Sequence, residues 1–350
     1  MEEVKKMKRV MFYGPKDIRV EESEIPKAKA GEVIIKNKVT LTCGTDVKTY
    51  MRGYRYEPPF PMGHEAAGIV YEVGEGVTTF KVGDRVVAHN SAPCNKCYYC
   101  KKGQHSMCVD LFQNQFTNGA YAQYQKIPAR IVEQNMFHVP DNMNYKQAAL
   151  LEPLSCAIYG VDETPFDIGD TVCINGCGPI GLMFVRMCYL RGARVIACDL
   201  SETRLEKARI LGAAETVNVS ETKDQVADVR KLTEDGRGVD AAIEAAGLPE
   251  VWNMALNMVR PGGFMLAFGG TKKDQTIAID TYKMHYEQLT IKGVFHTTPK
   301  HVNAAFEMLK MNAISEKDFV QNEYQIEDIE KAILEHASGK VIKNAIIYND

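Results

Sequence analysis

The run Phe60-Pro61-Met62-Gly63-His64-Glu65-Ala66-Ala67-Gly68 sets an imidazole and a carboxylate side by side after a Pro/Gly-rich turn. His64 offers a neutral ring nitrogen and Glu65 an oxygen to a borderline-soft cation such as zinc, and a thiolate would complete a mixed set. The candidate thiolate is Cys43, in Thr42-Cys43-Gly44-Thr45-Asp46; Glu152, in Leu151-Glu152-Pro153-Leu154, is a further candidate from far along the chain. One Cys, one His and a carboxylate, with a position left for water or substrate, describe a catalytic zinc site. A structural site closes itself with four Cys or His ligands. Taken alone, Gly-His-Glu is more often a surface turn, so its weight comes from what accompanies it.

The second constellation is Cys94-Asn95-Lys96-Cys97-Tyr98-Tyr99-Cys100, with Cys108 following after seven intervening residues. Cys-x2-Cys spacing lets two thiolates reach one ion from a tight turn, and four thiolates make a closed tetrahedral zinc site. A nucleic-acid zinc module would need a helix bearing basic side chains, which this loop lacks. Of the ten cysteines, Cys156, Cys173, Cys177, Cys188 and Cys198 are scattered through apolar segments and read as small buried hydrophobes.

The third is Gly176-Cys177-Gly178-Pro179-Ile180-Gly181, between the apolar run Thr171–Asn175 and the amphipathic run Leu182–Leu190. A second apolar run, from Arg194, ends at Asp199. Strand, Gly-x-Gly-x-x-Gly, helix, strand, acid is the order of a dinucleotide-binding unit. Gly176 permits the tight turn, Gly178 lets the backbone approach a pyrophosphate with Pro179 and Ile180 opening the helix, and Gly181 seats that helix on its strand. The helix N-terminus favours the phosphate charge. Asp199 would take the ribose hydroxyls and repel a 2′-phosphate, which selects NAD; Arg204 is placed to stack on adenine or to hold a phosphate.

These residues need a scaffold. From Val10 to about Lys126 short apolar alternation is broken by Gly, Pro and Asp, with strands at 33–35, 68–73 and 85–87, which predicts an irregular β-rich domain built as a small barrel. From Gly169 strands and helices alternate, with further strands at 239–245, 263–268 and 289–294. The last segment ends in a strand near 340–347 and returns to the first domain. The fold class is therefore α/β, with domains at 1–154, 155–294 and 295–350.

The 350 residues are 45% hydrophobic and 25% charged, ordinary for a globular chain of two domains, and the formal net charge is −3. That balance offers no basic stripe to nucleic acid or an anionic membrane. No long apolar run follows the N-terminal Lys5-Lys6-Met7-Lys8-Arg9, so neither a signal peptide nor a spanning helix is expected, and the cytoplasm is the expected compartment.

With these motifs together, the chain resembles the zinc-dependent medium-chain alcohol dehydrogenases over essentially its whole length. Within them it is most similar to the sorbitol/polyol and threonine dehydrogenase branch, on Cys43-Gly44-Thr45-Asp46, Gly63-His64-Glu65, Leu151-Glu152-Pro153-Leu154 and Asp199-Leu200-Ser201-Glu202-Thr203-Arg204-Leu205. The resemblance implies a GroES-like catalytic domain and a Rossmann domain with the active site in the cleft between them. It implies zinc, catalytic and structural, as well as NAD. Cys43 and His64 match the catalytic ligands, Glu65 the acid beside the His, and Glu152 the carboxylate this branch carries where alcohol dehydrogenases have a second Cys. Either carboxylate could touch the metal.

Thr45 matches the hydroxyl that relays the substrate's proton, and Asp46 the acid that orients the zinc His. Lys48 departs from the pattern, since many relatives carry His there as the outer end of the relay. A Lys serves only if its pKa is depressed, and a solvated Lys early in a helix is the other reading. The implied reaction is oxidation of a secondary alcohol of a polyol, cyclitol or sugar acid, with zinc as Lewis acid and a hydride passing to nicotinamide. An amino-alcohol such as threonine is the alternative substrate, and a zinc- and nucleotide-binding scaffold without turnover is the alternative class. The partner is a small-molecule alcohol, and the resemblance implies a homodimer or homotetramer.

Other residues carry less. His89, His105, His138, His285, His301 and His336 have no ligand spacing and read as surface or satisfied core positions. His296 follows the last Rossmann strand, where loops carry function. Tyr54, Tyr56 and the stretch 112–118 are candidates to line or cover the substrate cleft.

Overall fold

The computed structural model describes residues 5–349. The chain divides into two compact units, Met1–Ser155 with Thr297–Asp350, and Cys156–His296. Strands of the N-terminal part are β1 (Lys6–Gly14), β2 (Asp17–Glu24), β3 (Val33–Leu41), β4 (Phe60–Pro61), β5 (Ala66–Val73), β6 (Arg85–Ala88), β7 (Tyr124–Ile127) and β8 (Met136–His138). The second unit contributes β9 (Thr171–Asn175), β10 (Arg194–Asp199), β11 (Ala213–Asn218), β12 (Val239–Glu244), β13 (Val259–Ala267) and β14 (Thr290–Gly293). The chain then returns to the first unit with β15 (Val320–Tyr324) and β16 (Lys343–Ile347).

The expected small barrel takes the form of two sheets. One has the order β2-β1-β4; the other runs β15-β16-β3-β5-β6-β8, with β7 also on β3. An isolated antiparallel bridge joins Arg9 of β1 to Ala122. β3 is buried along both faces at its ends, as its sequence Val33-Ile34-Ile35 and Val39-Thr40-Leu41 requires. Its antiparallel partners fix the site: Thr40 faces Ala66 on β5, and Leu41 faces Ala345 on β16. The residues just after β3, just before β5 and at the start of β16 are thereby drawn to one sheet end. Helix α1 (Gly44–Arg52) leaves from that end.

In the second unit six parallel strands take the order β11-β10-β9-β12-β13-β14. Strand order reverses between β9 and β12, and both are buried along their whole length, as a parallel sheet covered on both faces demands. Cys173, Ile196, Cys198, Ala242 and Met265 share its core, and the thiols of Cys173 and Cys198 lie 3.7 Å apart without a disulfide. β13 begins at Val259, four residues before the predicted start. Val259 pairs with Val239, and the register then shifts across Arg260-Pro261-Gly262-Gly263, with Gly262 at φ 71°. A bulge of this kind hides a strand start behind turn residues. Among the described residues no helix is long and apolar enough to cross a membrane.

Two glycines of the loop after β9 separate packing from ligand approach. A Cβ on Gly181 would lie 1.7 Å from the Gly176 carbonyl oxygen, whereas one on Gly178 meets nothing within 4 Å. Gly181→Ala should therefore cost about 1–3 kcal/mol of overpacking strain and lower the melting temperature by several degrees, with Gly178→Ala melting like the parent. Thermal denaturation followed by circular dichroism checks both; equal melting temperatures for the two variants would contradict the close-packing role of Gly181.

Candidate active site and metal centres

Cys43 is the N-cap of α1. Its backbone is extended (φ −127°, ψ 154°), its sulfur accepts a hydrogen bond from the Thr45 N–H, and Asp46 three residues on accepts from the Cys43 N–H. The Cys43-Gly44-Thr45-Asp46 run is thus a capping box in which a thiol replaces the usual Ser or Thr. The cap sets the sulfur at the helix N-terminus and pins the Asp46 carboxylate beside it.

His64 arrives from the other side of the sheet end. Gly63, at φ 89°, makes the turn and also the room, since a Cβ there would lie 2.5 Å from the Tyr121 nitrogen. Asp46 Oδ1 stands 3.5 Å from His64 Nδ1, while Asp46 Oδ2 accepts from the Tyr121 hydroxyl at 2.7 Å and from the Cys43 N–H at 2.9 Å. With Nδ1 turned to Asp46, the imidazole presents Nε2 to the site. Ligand atoms of Cys43, His64 and Glu65 all lie within 4.8 Å of one another.

The field favours a cation. Burial opposes charge on His64, but the Asp46 carboxylate and the Cys43 thiol outweigh it and hold its pKa well above the ordinary imidazole value. Burial also pushes Asp46 up, yet His64, Tyr121 and the Cys43 N–H keep it below the usual carboxylate range. Glu152, buried on the helix Leu151–Asp162, is pushed up to about 7 by burial, with Glu65 adding and His64 and Lys343 opposing. One soft, one borderline and two hard donors within reach of each other's charge suit zinc.

Sequence reasoning missed Lys343. Its ammonium is 1% exposed and sits 2.6 and 2.8 Å from the two Glu65 oxygens and 2.9 Å from the Thr42 carbonyl. Burial lowers its proton affinity, and the Glu65 carboxylate more than restores it. A lone charge in the mostly apolar run Val341-Ile342-Lys343-Asn344-Ala345-Ile346-Ile347 was the available signal. Tyr121, fully buried with its hydroxyl on Asp46, was missed as well, and nothing in its local sequence marks it.

Thr45 is half-buried at the start of α1 and Lys48 is exposed one turn later. His138 pairs with Asp84, His301 with Thr298 and His336 with Thr42, the satisfied positions expected of them. His296, three residues beyond β14, is held in left-handed backbone at φ 64°. Tyr56 donates to Gln115, and Arg55 lies 3.9 Å from the Phe112 ring centroid, so the 54–56 and 112–115 segments pack on each other.

The four-Cys loop brings Cys94, Cys97, Cys100 and Cys108 within 4.8 Å of one another. Cys97 and Cys100 sulfurs are 3.5 Å apart, and Cys94 and Cys100 are 4.0 Å apart. Four sulfurs at zinc–thiolate distance form a tetrahedron with edges of about 3.8 Å, so the loop fits the ion. Backbone N–H groups also point inward, from Cys97 to the Cys94 sulfur and from Cys94 to the Cys108 sulfur.

At the nucleotide loop Gly176 turns at φ 99°, Gly178 caps the helix Pro179–Leu190, and Pro179 occupies its first turn with Ile180 beside it. Asp199 ends β10 and spans the loop: Oδ2 accepts from the Cys177 N–H at 2.7 Å and Oδ1 from the Ser201 N–H at 2.9 Å. Arg204 stands 3.9 Å from Asp199, which places its guanidinium against the acid. The open space at Gly178 is where a pyrophosphate would meet backbone N–H groups.

Two family models match the chain: "Alcohol dehydrogenase GroES-like domain" over residues 29–141 and "Zinc-binding dehydrogenase" over residues 179–311. The sorbitol dehydrogenase of Bacillus subtilis (strain 168) is 35% identical over 340 residues, covering 93% of this chain and 92% of that one. D-arabinitol dehydrogenase 1 of Uromyces fabae is 30% identical over 346 residues, 97% of each. The crystal structure of 2R,3R-butanediol dehydrogenase from Bacillus subtilis superimposes with a TM-score of 0.87 at 29% identity, covering 98% of this chain and 100% of the other.

Removal of zinc should reveal the loop's own acidity. N–H groups of Cys100 and Val109 pull the Cys97 thiol down to about 6, whereas burial and its neighbouring thiols push Cys100 up to about 12. In chelated protein Cys97 should be alkylated by iodoacetamide first, with a rate that rises through pH 6 and levels off above it, and Cys100 last. Zinc should protect both. Mass spectrometry of the labelled peptides reads this, and equal labelling of the two thiols at pH 7 would contradict it.

Proposed function

The chain belongs to the zinc-dependent medium-chain alcohol dehydrogenases, and from that premise we propose that it oxidises a secondary alcohol of a polyol, cyclitol or sugar acid to the ketone, with NAD as hydride acceptor. The observation that carries the chemistry is the meeting of Cys43, His64 and Glu65 at the N-terminus of α1, beside Thr45. Zinc held by Cys43 and His64 supplies Lewis acidity to the substrate hydroxyl, and the nicotinamide ring supplies the hydride acceptor. Asp46 holds His64 with Nδ1 turned away. Thr45 receives the hydroxyl proton and passes it outward along α1 toward Lys48.

Glu152 is the proposed second carboxylate contact to zinc, direct or through water. Both Glu65 oxygens are committed to Lys343, while the Glu152 carboxylate is buried at the edge of the same field. Glu152→Gln should lower metal content from two zinc ions per chain toward one and reduce kcat/KM by about 10–100-fold. A variant that keeps two zinc ions and full turnover would reassign the contact to Glu65.

Asp199 supports NAD over NADP, since a 2′-phosphate would face a carboxylate already fixed by two N–H groups. Like-charge apposition of this kind should leave kcat/KM for NADP lower by about 100-fold. The resemblance supports a homodimer or homotetramer in the cytoplasm, which light scattering on the purified protein and cell fractionation check.

The deciding experiment is reduction of NAD across sorbitol, xylitol, galactitol, inositols, sugar acids and L-threonine, with a chelated sample beside each. Turnover on polyols that chelation abolishes and zinc restores is the expected result. Turnover confined to L-threonine would move the substrate class to amino-alcohols, and binding of NAD and zinc without any turnover would refute the enzymatic reading.

A further inference from the structure

We propose that Glu244 is a built-in counter-charge for the oxidised nicotinamide ring: its buried carboxylate favours binding of NAD+ over NADH and so favours release of the reduced cofactor. This rests on the NAD reading above and deepens it, since it concerns which redox form of the cofactor the chain holds.

Glu244 is the last residue of β12 and pairs with Asn175, the last residue of β9, at the point where strand order reverses. A dinucleotide lies across the crevice at such a point, with one nucleotide on each half of the sheet. The glycine loop follows β9 and Asp199 ends β10, so the adenosine belongs to their half. The nicotinamide nucleotide then belongs to the half that β12 opens.

The segment beyond Glu244 touches the nucleotide loop directly. The Ala245 N–H donates to the Asn175 carbonyl at 2.9 Å, and a Cβ on Gly176 would lie 3.1 Å from the Ala246 nitrogen. Glu244 holds this segment, since its Oε1 accepts from the N–H groups of Ala246 at 2.8 Å and Gly247 at 2.6 Å. The segment after β13 closes from the other side. Phe268 and Gly269 N–H groups donate to the Glu244 carbonyl at 3.2 and 2.9 Å, and a Cβ on Gly269 would meet Glu244 Oε2 at 2.5 Å. The carboxylate is thus enclosed between the segments that leave β12 and β13, the two strands nearest the reversal on the nicotinamide half.

Its charge is not balanced by the protein. Glu244 is 0% exposed, its Oε2 has no hydrogen-bond partner, and among the described residues no Lys, Arg or His pairs with it. Burial pushes its pKa up, while the N–H groups of Gly247, Ala246 and Leu248 and the Trp252 indole oppose that rise and favour the ionised form. A buried anion without a cation is costly. A glutamine would accept the same two N–H bonds without that cost, so the holding of the segment does not account for the charge. A ligand that brings a fixed positive charge to this half of the crevice does. The oxidised nicotinamide ring is a cation, and its reduction removes the charge and with it the attraction. Repulsion between Glu244 and the cofactor's pyrophosphate is common to both forms and cancels between them.

The test is calorimetric binding of three ligands to the zinc-loaded protein: NAD+, NADH and the neutral benzamide analogue of NAD+, in which a benzene ring replaces the pyridinium at the same shape. Each is repeated with Glu244→Gln, which keeps an acceptor for the two N–H groups, and with Glu244→Asp, which keeps the charge. The parent should bind NAD+ about 10-fold more tightly than the benzamide analogue, the scale of two unit charges facing one another across about 10 Å of protein. In Glu244→Gln that preference should disappear through weaker NAD+ binding, with NADH and the analogue changed by no more than about 2-fold. Glu244→Asp should keep the preference for the cation.

Equal binding of NAD+ and the benzamide analogue by the parent would overturn the proposal while leaving the NAD reading intact, and this comparison holds even if Glu244→Gln fails to fold. Equal weakening of all three ligands in Glu244→Gln, with a lowered melting temperature and a larger loss in Glu244→Asp, would overturn it in favour of a structural role. A parent that binds none of the three would refute the NAD reading itself, and the proposal with it.

Discussion

The catalytic unit depends on one buried ion pair. Lys343 and Glu65 are 278 residues apart in sequence, both excluded from solvent, and the ammonium has all its protons placed, two on Glu65 and one on the Thr42 carbonyl. Taking two charges out of water is costly, and removal of one partner alone leaves a buried charge whose penalty is about 3–5 kcal/mol. The pair therefore locks the start of β16 against the end of β3 and the start of β5. Those are the three chain segments that deliver Thr42-Cys43, His64-Glu65 and Lys343 itself. The Asn344 N–H to the Thr42 hydroxyl, and that hydroxyl to His336, continue the same seam.

Asp46 is the second organiser and works through hydrogen bonds. One carboxylate caps α1 by way of the Cys43 N–H, accepts the Tyr121 hydroxyl and faces His64. A helix cap, normally a device of local stability, here sets the distance between a thiol and an imidazole. The result is a pocket with a surplus of acceptor and anionic groups, in which even a buried imidazole is driven toward its cationic form. Such a surplus is what a divalent ion neutralises. The four-Cys loop reaches the same end differently, with inward N–H groups and sulfurs already near tetrahedral spacing before any ion is considered.

Short motifs made much of this legible in advance. Gly-x-Gly-x-x-Gly between two apolar runs and before Asp199 specifies a nucleotide loop because each glycine answers a local steric demand, and the 1.7 Å approach at Gly181 is such a demand. Cys94 to Cys108 specify a metal loop because all four ligands lie within fifteen residues and close without help from the rest of the chain. Cys43, Thr45 and Asp46 share one helix turn, and His64 follows a glycine whose turn it needs. In each case the sequence separation is short enough for local geometry to settle the outcome.

What lay beyond local reach was decided by tertiary structure. Lys343 reads as an edge-strand charge until strand pairing buries it on Glu65, and Tyr121 reads as any aromatic until Gly63 and Gly119 let its backbone close on residues 62–63. The start of β13 was hidden for a related reason, since Pro261-Gly262-Gly263 looks like a turn and only the pairing of Val239 with Val259 makes it a bulge. The chain's own residue types determined which ions and nucleotides it can hold, through chemistry carried within a few positions. That Glu65 is tied to an ammonium was decided by burial and by pairing across hundreds of residues, because the electrostatic state of a buried group depends on its neighbours in space.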